Sequence, residues 1–458
     1  MKVIICGAGQ VGFGIAQRLS AEQNDVTVLD SSSELIQSIS DSLDVQGFVG
    51  HGAHPDDLQK AGAEEADMII AVTSIDEINM VACQVAHSLF NIPTKIARVR
   101  AQSYLSPEWQ DMFTRDNMPI DVIISPEIAV GESVLRQLAV PGAFETISFA
   151  DGLITVLGVT CEEDCPIVNT PLKQLTELFP DLTAVVVGIS RDGKLFVPHS
   201  DDQMHSGDDV YIVAESTQIE RTLAIFGHQE RQARRIIIAG GGNIGNYVAR
   251  KLEERQSRTN VKIIESDRKT AIDIAEKVNR TVILHGDALD PEIMREAGIG
   301  EAEMFVALTN QDQVNILACI MAKRMGSARA LSLVSNSDFS SMIRSVGIDG
   351  FISPRGITIS TILQHVRRGR IRGVHSIQNG RAEVLEAEAL ETSSLIGQPL
   401  SEVGLPDGMR IGGIVRDGKV LIPDGKMHIK KADRIVIFAL ADQVKVVEQM
   451  FRVSLEFF

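Results

Sequence analysis

The sequence predicts an α/β protein with two doubly wound parallel-sheet domains, each followed by a small β-rich α+β domain. The main evidence is an internal duplication of about a hundred residues, followed in each copy by a second, different repeat. A duplication of this length indicates two copies of one domain pair. The matching segments are VIICGAGQVGFG at 3–14 with IIIAGGGNIG at 236–245, GHGAHPDDLQKAG at 50–62 with GDALDPEIMREAG at 286–298, and AVTSIDEINMVAC at 71–83 with ALTNQDQVNILAC at 307–319.

In the first copy, short apolar runs alternate with amphipathic stretches, which predicts alternating strands and helices. Alternation at this spacing implies right-handed crossovers and a doubly wound sheet, and residues 236–336 repeat it. The expected strands are Lys2–Cys6, Val26–Asp30, Val45–Val49, Asp67–Val72 and Ile96–Arg100. The expected helices are Val11–Glu22, Glu34–Leu43, Asp56–Ala61 and Asn79–Phe90.

A turn and an amphipathic helix follow each sheet. IISPEIAVGESVLRQL at 123–138 matches FISPRGITISTILQHV at 351–366. We expect these helices to leave their sheets and pack on another subunit or on the other half, because a monomer would otherwise expose their apolar faces. The sequence therefore predicts a tetramer, or at least a dimer.

The remaining segments form the second repeat. GISRDGKLFVP at 188–198 matches GIVRDGKVLIP at 413–423, and Arg-Asp-Gly-Lys between short apolar runs is typical of a β-hairpin turn. The predicted domains are 1–142, 143–230, 231–372 and 373–458.

Composition excludes several classes of protein. With 458 residues the chain is too long for one core, and no apolar run approaches the roughly 18 residues that cross a bilayer. The N terminus has no signal peptide and the five cysteines form no disulfide framework, so we expect a cytosolic protein. A net charge of −17 argues against nonspecific nucleic-acid binding.

Two local clusters have alternative interpretations. Cys161 and Cys165 suggest a metal or redox pair, but without a second pair or a suitably spaced His they are better explained as small residues beside a strand. A basic cluster is either a solvated helix end or a contact for anionic headgroups or an acidic partner. Its residues are Arg367, Arg368, Arg370 and Arg372, flanked by His365 and His375.

Each copy has a glycine-rich loop between its first strand and first helix. In such a G-x-G-x-x-G loop the first glycine permits a tight turn, the second lets a pyrophosphate approach, and the third lets helix pack on strand. Bound phosphates then lie at the helix N terminus, where free N–H groups and the dipole favour an anion. The glycines are Gly7, Gly9 and Gly12 in the first copy and Gly240, Gly242 and Gly245 in the second.

An acidic residue ends the second strand in each copy, Asp30 in the first and Glu265 in the second. A carboxylate there accepts bonds from a ribose diol and repels a 2′-phosphate. The sequence therefore predicts two Rossmann-like sites for NAD(H), or for ATP or ADP in the adenosine half, and not for NADP.

The ends of the third, fourth and fifth strands supply further candidates. His51 and Asp287 follow the third strands, where an adenine would rest. Polar residues after the fourth strands suit ribose or phosphate, with ordinary loop capping as the alternative; they are Thr73, Ser74, Thr309 and Asn310.

Only the first copy has arginines in the fifth strand. We expect Arg98 and Arg100 on one face of that strand, where they would bind phosphate or form a surface ion pair. Residues 331–336 contain no arginine, so we expect the N-terminal cleft to dominate the ligand response.

Taken together, GAGQVG, GHGAHP, KIARVR, the Ile-Ser-Pro helices and the doubled plan resemble the TrkA family of bacterial potassium-uptake regulators, which are built from RCK (or KTN) domains. The resemblance implies a homotetramer docked on a TrkH- or TrkG-type potassium-translocating subunit at the cytoplasmic face of the inner membrane. It implies gating by NAD(H) and ATP or ADP. By position the ligand residues are Gly7, Ala8, Gly9, Gln10, Val11, Asp30, Thr73, Ser74 and Arg98, with Gly240, Gly241, Gly242, Asn243, Ile244, Glu265, Thr309 and Asn310.

The main alternative is an NAD-dependent oxidoreductase. Hydride transfer needs a substrate pocket and an acid–base group against the nicotinamide. The small domains offer no such group at a repeated position, and His51 is replaced by Asp287 in the other copy. A redox-sensing transcription factor would need a DNA-binding helix pair and a basic surface. We therefore expect a regulator and not an enzyme.

Overall fold

The structure, a computed structural model, describes residues 1–255, 258–340, 342–343, 345–366 and 371–451. The chain divides into two compact units. The first consists of residues 1–129 together with 355–366, and the second contains the rest of the described chain.

The first unit contains a six-stranded parallel sheet in the order β3-β2-β1-β4-β5-β6. This order confirms the predicted doubly wound topology. Its strands are β1 Lys2–Cys6, β2 Asp25–Asp30, β3 Gln46–Val49, β4 Met68–Ala71, β5 Thr94–Arg98 and β6 Val122–Ile124. Its helices are α1 Gln10–Ala21, α2 Ser33–Ser42, α3 Pro55–Lys60 and α4 Asp76–Phe90.

The second unit begins within α5, Pro126–Ala139, and continues into a five-stranded antiparallel sheet in the order β10-β9-β11-β8-β7. The elements of this small domain are β7 Glu145–Phe149, β8 Ile154–Thr160, α6 Leu172–Leu178, β9 Ala184–Arg191, β10 Lys194–Phe196, β11 Asp209–Glu215 and α7 Ile219–Ile225.

A second doubly wound sheet follows, in the order β14-β13-β12-β15-β16-β17. It reproduces the first sheet strand for strand. Its strands are β12 Arg235–Ala239, β13 Asn260–Glu265, β14 Val282–His285, β15 Met304–Ala307, β16 Ala330–Leu333 and β17 Gly350–Ile352. The helices are α8 Asn243–Arg255, α9 Arg268–Ala275, α10 Pro291–Ala297, α11 Asp312–Arg324, α12 Ser337–Ser340 and α13 Pro354–Val366.

The last domain is antiparallel, in the order β18-β19-β22-β20-β21. The predicted hairpins are confirmed in both small domains: Asp192 and Gly193 have φ of 50° and 76°, and Asp417 and Gly418 have 49° and 74°. The two positive φ angles are those of a type I′ turn. The elements are β18 Ile371–Ile377, β19 Ala382–Glu388, β20 Met409–Arg416, β21 Lys419–Leu421, β22 Arg434–Leu440 and α14 Val444–Met450.

Helix α13 belongs to the core of the first unit, although it follows the second sheet in sequence. Ile359, Ile362, Leu363 and Val366 are buried in one cluster with residues of α1 and of the first sheet. A Cβ built on Gly14 of α1 would overlap the Ile359 side chain, so the two helices meet where α1 has no side chain.

Helix α5 packs against the second sheet domain in a corresponding way. Gly131 of α5 faces the Tyr247 ring of α8, and Glu132 accepts a hydrogen bond from the Tyr247 hydroxyl at 2.7 Å. Val130 and Val134 are fully buried. The expectation that these helices contact the other half is confirmed, but the oligomer argument built on them is wrong, because their apolar faces are already covered within one chain.

Among the described residues, no helix combines the length and apolar character needed to span a membrane.

Candidate nucleotide-binding clefts

The first glycine loop has the backbone geometry that its sequence pattern predicts. Gly7 has φ of 114°, and a Cβ built there would lie 3.0 Å from the Thr73 nitrogen at the end of β4. A Cβ on Gly12 would overlap the Gly7 carbonyl oxygen. At Gly9, by contrast, no described atom outside its chain neighbours lies within 4 Å of a built Cβ. The middle glycine therefore leaves the loop open at the position where a pyrophosphate would approach.

The second loop repeats this geometry. Gly240 has φ of 98°, and its Cβ would lie 2.9 Å from the Thr309 nitrogen. A Cβ built on Gly245 would overlap the Gly240 oxygen, whereas one built on Gly242 would meet no described atom outside its chain neighbours within 4 Å. Both clefts thus have the same close-packed and open positions.

The N terminus of α1 presents free backbone donors beside this opening. Gly9 caps the helix without a side-chain hydrogen bond, and the first turn contains no acidic residue. The first intrahelical bond joins the Phe13 N–H to the Gly9 oxygen, at 2.8 Å. The preceding N–H groups and the positive end of the helix dipole can therefore hold an anion.

The acid at the end of β2 fixes the glycine loop. Asp30 accepts the Ala8 N–H on one carboxylate oxygen at 2.7 Å and the Ser32 N–H on the other at 2.8 Å. Glu265 accepts the Gly241 N–H at 2.6 Å and the Asp267 N–H at 2.7 Å. Each carboxylate oxygen keeps a second lone pair, so the same group can hold the loop and accept a ribose hydroxyl.

A buried asparagine joins the ends of β4 and β5 in each cleft, and sequence reasoning did not identify its role. Asn79 accepts the Thr73 N–H at 2.8 Å and its hydroxyl at 2.7 Å, and its amide donates to the Arg98 carbonyl at 2.9 Å. Asn315 does the same with Thr309 and the Leu333 carbonyl. The exact repetition of this asparagine in both copies was the available signal.

An aspartate one turn earlier on the same helix holds the chain after β5. Asp76 accepts the N–H groups of Arg100 and Ala101, at 2.9 Å and 2.8 Å. Asp312 accepts those of Ser335 and Asn336. The two helices α4 and α11 therefore fix the same cleft edge by the same contacts.

The arginine pair does not lie on one strand face as predicted. β5 ends at Arg98, so Arg100 lies beyond the strand, where Asp76 accepts its N–H at 2.9 Å. Arg100 pairs with the buried Glu127 at 2.8 Å, which is the alternative considered from sequence.

Arg98 has a different environment. It is partly buried, and its Nε has no hydrogen-bond partner among the described residues. Burial, followed by the neighbouring charge of Arg100, lowers the pKa of its guanidinium. A guanidinium whose Nε has a free donor at the carboxyl edge of the sheet is suited to phosphate.

The other predicted residues lie at the same edge. His51 stacks on His54 with ring centroids 4.2 Å apart, and Asp287 caps a turn by accepting the Leu289 N–H at 2.9 Å. The side chains of Ser74 and Asn310 are exposed. The loop residues Gln10, Val11, Asn243 and Ile244 open α1 and α8.

The cysteine pair shows no sign of a metal site. Cys161 and Cys165 are free and buried, and a hydrogen bond from Cys161 lowers the pKa of Cys165. The part of the chain that the structure describes contains no group of three or more His, Cys, Asp or Glu side chains able to hold a metal ion.

The basic cluster lies partly outside the described residues. Arg367, Arg368 and Arg370 lie outside the described residues. Arg372 pairs with Glu388, and the His375 ring contacts the Glu145 carboxylate at 3.2 Å.

Comparison with known proteins agrees with this doubled layout. The family model described as the TrkA-N domain matches residues 3–126 and 236–354, and the TrkA-C domain matches residues 156–227 and 384–452. The Trk system potassium uptake protein TrkA of Azorhizobium caulinodans is 58% identical over 458 residues, covering 100% of both chains. That of Halomonas elongata is 38% identical over 462 residues, again covering 100% of both.

Solved structures support the fold. The GsuK RCK domain has a TM-score of 0.60 at 17% identity, covering 98% of this chain and 94% of that one. The GsuK channel bound to NAD has a TM-score of 0.59 at 16% identity, covering 98% of this chain and 78% of the other. The family matches span most of the sequence, and the relatives are named as potassium uptake components rather than enzymes. The chain therefore belongs to the TrkA family, the RCK-fold regulatory components of Trk potassium uptake systems.

Proposed function

We propose that this chain is a cytosolic nucleotide-sensing subunit that gates a TrkH- or TrkG-type potassium-translocating membrane subunit. It binds NAD(H) and ATP or ADP in its two clefts, with domains at 1–142, 143–230, 231–372 and 373–458. It acts as a homotetramer at the cytoplasmic face of the bacterial inner membrane.

The observation that supports this proposal most is the duplicated anion cradle. In each cleft an open glycine precedes a helix N terminus, and an acid bound to the loop lies at the end of the neighbouring strand. The bound nucleotide would contribute a phosphate charge for the helix dipole and a ribose diol for the carboxylate. The structurally similar GsuK channel is bound to NAD, which is consistent with this ligand class.

The clefts differ in charge, which supports unequal nucleotide responses. Arg98 offers an unsatisfied Nε at the first cleft, whereas the equivalent residue in the second is Leu333. A charge-assisted hydrogen bond contributes about 1.5–3 kcal/mol, so one such contact separates affinities by roughly ten- to a hundredfold. We propose that the N-terminal cleft dominates the response.

A surface feature other than helices α5 and α13 supports assembly into an oligomer. Val81 of α4 and Leu317 of α11 are 44% and 51% exposed, and they occupy equivalent positions in the two copies. Exposed apolar residues repeated on the same helix face are consistent with a surface that another chain covers.

The site assignment is tested by calorimetry with NADH, NAD, ADP and ATP. Asp30→Arg removes the acceptor that fixes the loop and inserts a cation, so the first cleft should no longer bind. Glu265→Arg should abolish nucleotide binding in the second cleft for the same reason. Asp41→Arg on α2 is the matched control, because Asp41 is exposed and the charge change is identical.

Unchanged NADH affinity and stoichiometry in Asp30→Arg would show that the assigned cleft is not the binding site. NADH should also be recovered unaltered after incubation with metabolite mixtures. Its oxidation would favour an NAD-dependent oxidoreductase instead.

A further inference from the structure

Arg355 lies beside α1 of the first sheet domain, although it follows the second sheet in sequence. It occupies the first turn of α13, in the compact unit that contains α1 and the first sheet. Its Nε lies 3.5 Å from a Cβ built on Gly14, and Gly14 is one helical turn after Gln10, the first residue of α1. One turn of helix rises about 5.4 Å, so the Nε lies beside α1 about one turn from its first residue, within reach of an arginine side chain.

The electrostatic environment of Arg355 is unfavourable in three respects. A cation in the first turn of a helix opposes the positive end of the dipole. The N terminus of α1, close by, adds a second positive helix end. Arg355 is also partly buried, and neither a hydrogen bond nor an ion pair satisfies its guanidinium among the described residues. Burial lowers the pKa of this guanidinium.

The corresponding helix in the other copy has the opposite charge at this position. Glu127 occupies the first turn of α5, where the dipole favours an anion, and it pairs with Arg100 at 2.8 Å. The duplication therefore does not require a cation at this place. Three effects disfavour the charge of Arg355 in the ligand-free protein. An anionic group of a bound ligand would compensate that charge.

We propose that Arg355 binds a phosphate group of the adenine nucleotide held at the N terminus of α1, so that the second half of the chain supplies a cation to the site of the first half. This inference rests on the proposed nucleotide site in the first cleft. The guanidinium then adds a charge-assisted contact to the free N–H groups of α1. The contact makes affinity in this cleft depend on the position of α13.

The test uses full-length protein with Glu265→Arg, so that only the first cleft binds. In this background Arg355→Gln should weaken ADP and ATP binding by roughly ten- to a hundredfold, the range expected for one charge-assisted contact. Arg355→Lys should retain part of the affinity. Arg324→Gln is the matched control, because Arg324 is exposed at the end of α11 and should leave binding unchanged.

Thermal unfolding separates a ligand contact from a structural role. Without nucleotide, the midpoint of Arg355→Gln should equal or exceed that of its parent, because an uncompensated cation is removed. The rise in midpoint caused by ADP should become smaller. A lower midpoint without nucleotide together with an unchanged ADP response would overturn the inference.

The result for the parent protein distinguishes this inference from the proposed function. Suppose that the Glu265→Arg parent binds ADP and that adding Asp30→Arg abolishes this binding. If adding Arg355→Gln instead leaves ADP affinity unchanged, only the role of Arg355 is wrong. If the parent binds neither ADP nor ATP, both the site and the inference fail.

Discussion

At the scale of single residues, both clefts depend on polar side chains that hold backbone rather than on side chains free to bind. Asp30 and Glu265 fix the glycine loops, and Asn79 and Asn315 join the ends of neighbouring strands. In each cleft the buried asparagine accepts a threonine N–H and donates to a strand-end carbonyl. Its removal leaves unsatisfied buried groups, each of which costs about 1–3 kcal/mol.

Asn79→Ala should therefore destabilise the first unit by about 2–3 kcal/mol, lowering its thermal midpoint by roughly 4–12 °C. The fully buried side chain bonds both Thr73 and the Arg98 carbonyl, which explains the size of the effect. Differential scanning calorimetry measures the change. Gln84→Ala on the same helix is the control, since Gln84 bonds only Ser88 at the surface. Equal midpoints for the two variants would contradict the assigned role.

Sequence reasoning predicted the residues of the loop better than their contacts. The glycine spacing predicted where backbone must be tight and where it must be open, because those needs are local. The end of β5 at Arg98 was not predicted, because the backbone beyond it is held by Asp76, 24 residues earlier in the sequence. The position of Arg355 beside α1 could not be predicted, because only tertiary packing brings α13 to α1.

At the scale of elements, α13 packs on α1 through a glycine and a large side chain. Gly14 of α1 faces Ile359 of α13, whereas on the other sheet the glycine is Gly131 of α5 and the large residue is Tyr247 of α8. The glycine therefore lies on the first helix of the sheet domain in one pair and on the helix that packs against it in the other. If α5 packed on α1 and α13 on α8, two glycines would meet in one pair and two large residues in the other. This difference favours the observed pairing.

The Gly14–Ile359 contact can be measured with a double-mutant cycle. Gly14→Ala alone should destabilise the first unit, despite the gain of about 1 kcal/mol in helix propensity, because the new Cβ overlaps the Ile359 Cδ1 atom. Ile359→Val removes that atom, so Gly14→Ala in this background should be neutral or stabilising. We expect a coupling energy of about 1–3 kcal/mol from urea unfolding. Additive effects would show that the helices do not meet as described.

The strand and helix sequence of each sheet could be predicted from hydrophobic periodicity, because parallel strands buried on both faces are apolar throughout. The destination of α5 and α13 could be predicted only as a choice between another subunit and the other half. Their apolar faces require a partner, but amphipathic periodicity alone does not say which surface provides it.

At the scale of the whole molecule, duplication has produced two clefts with one architecture and different charge. The first has Arg98 at its edge and Arg355 beside α1, whereas the second has Leu333 and Ser335 in place of Arg98 and Arg100. A chain with two unequal sites can respond to more than one nucleotide. This is the property expected of a sensor.

The most direct measurement of the central claim is potassium flux into vesicles that contain a TrkH-type subunit and this chain, with NADH, NAD, ADP and ATP titrated in turn. We predict that nucleotide changes the flux with the wild-type chain, that Asp30→Arg removes most of this response, and that Glu265→Arg removes less of it. Asp41→Arg should respond as wild type. A flux that does not change with any nucleotide, or an unaltered response in Asp30→Arg, would contradict the account.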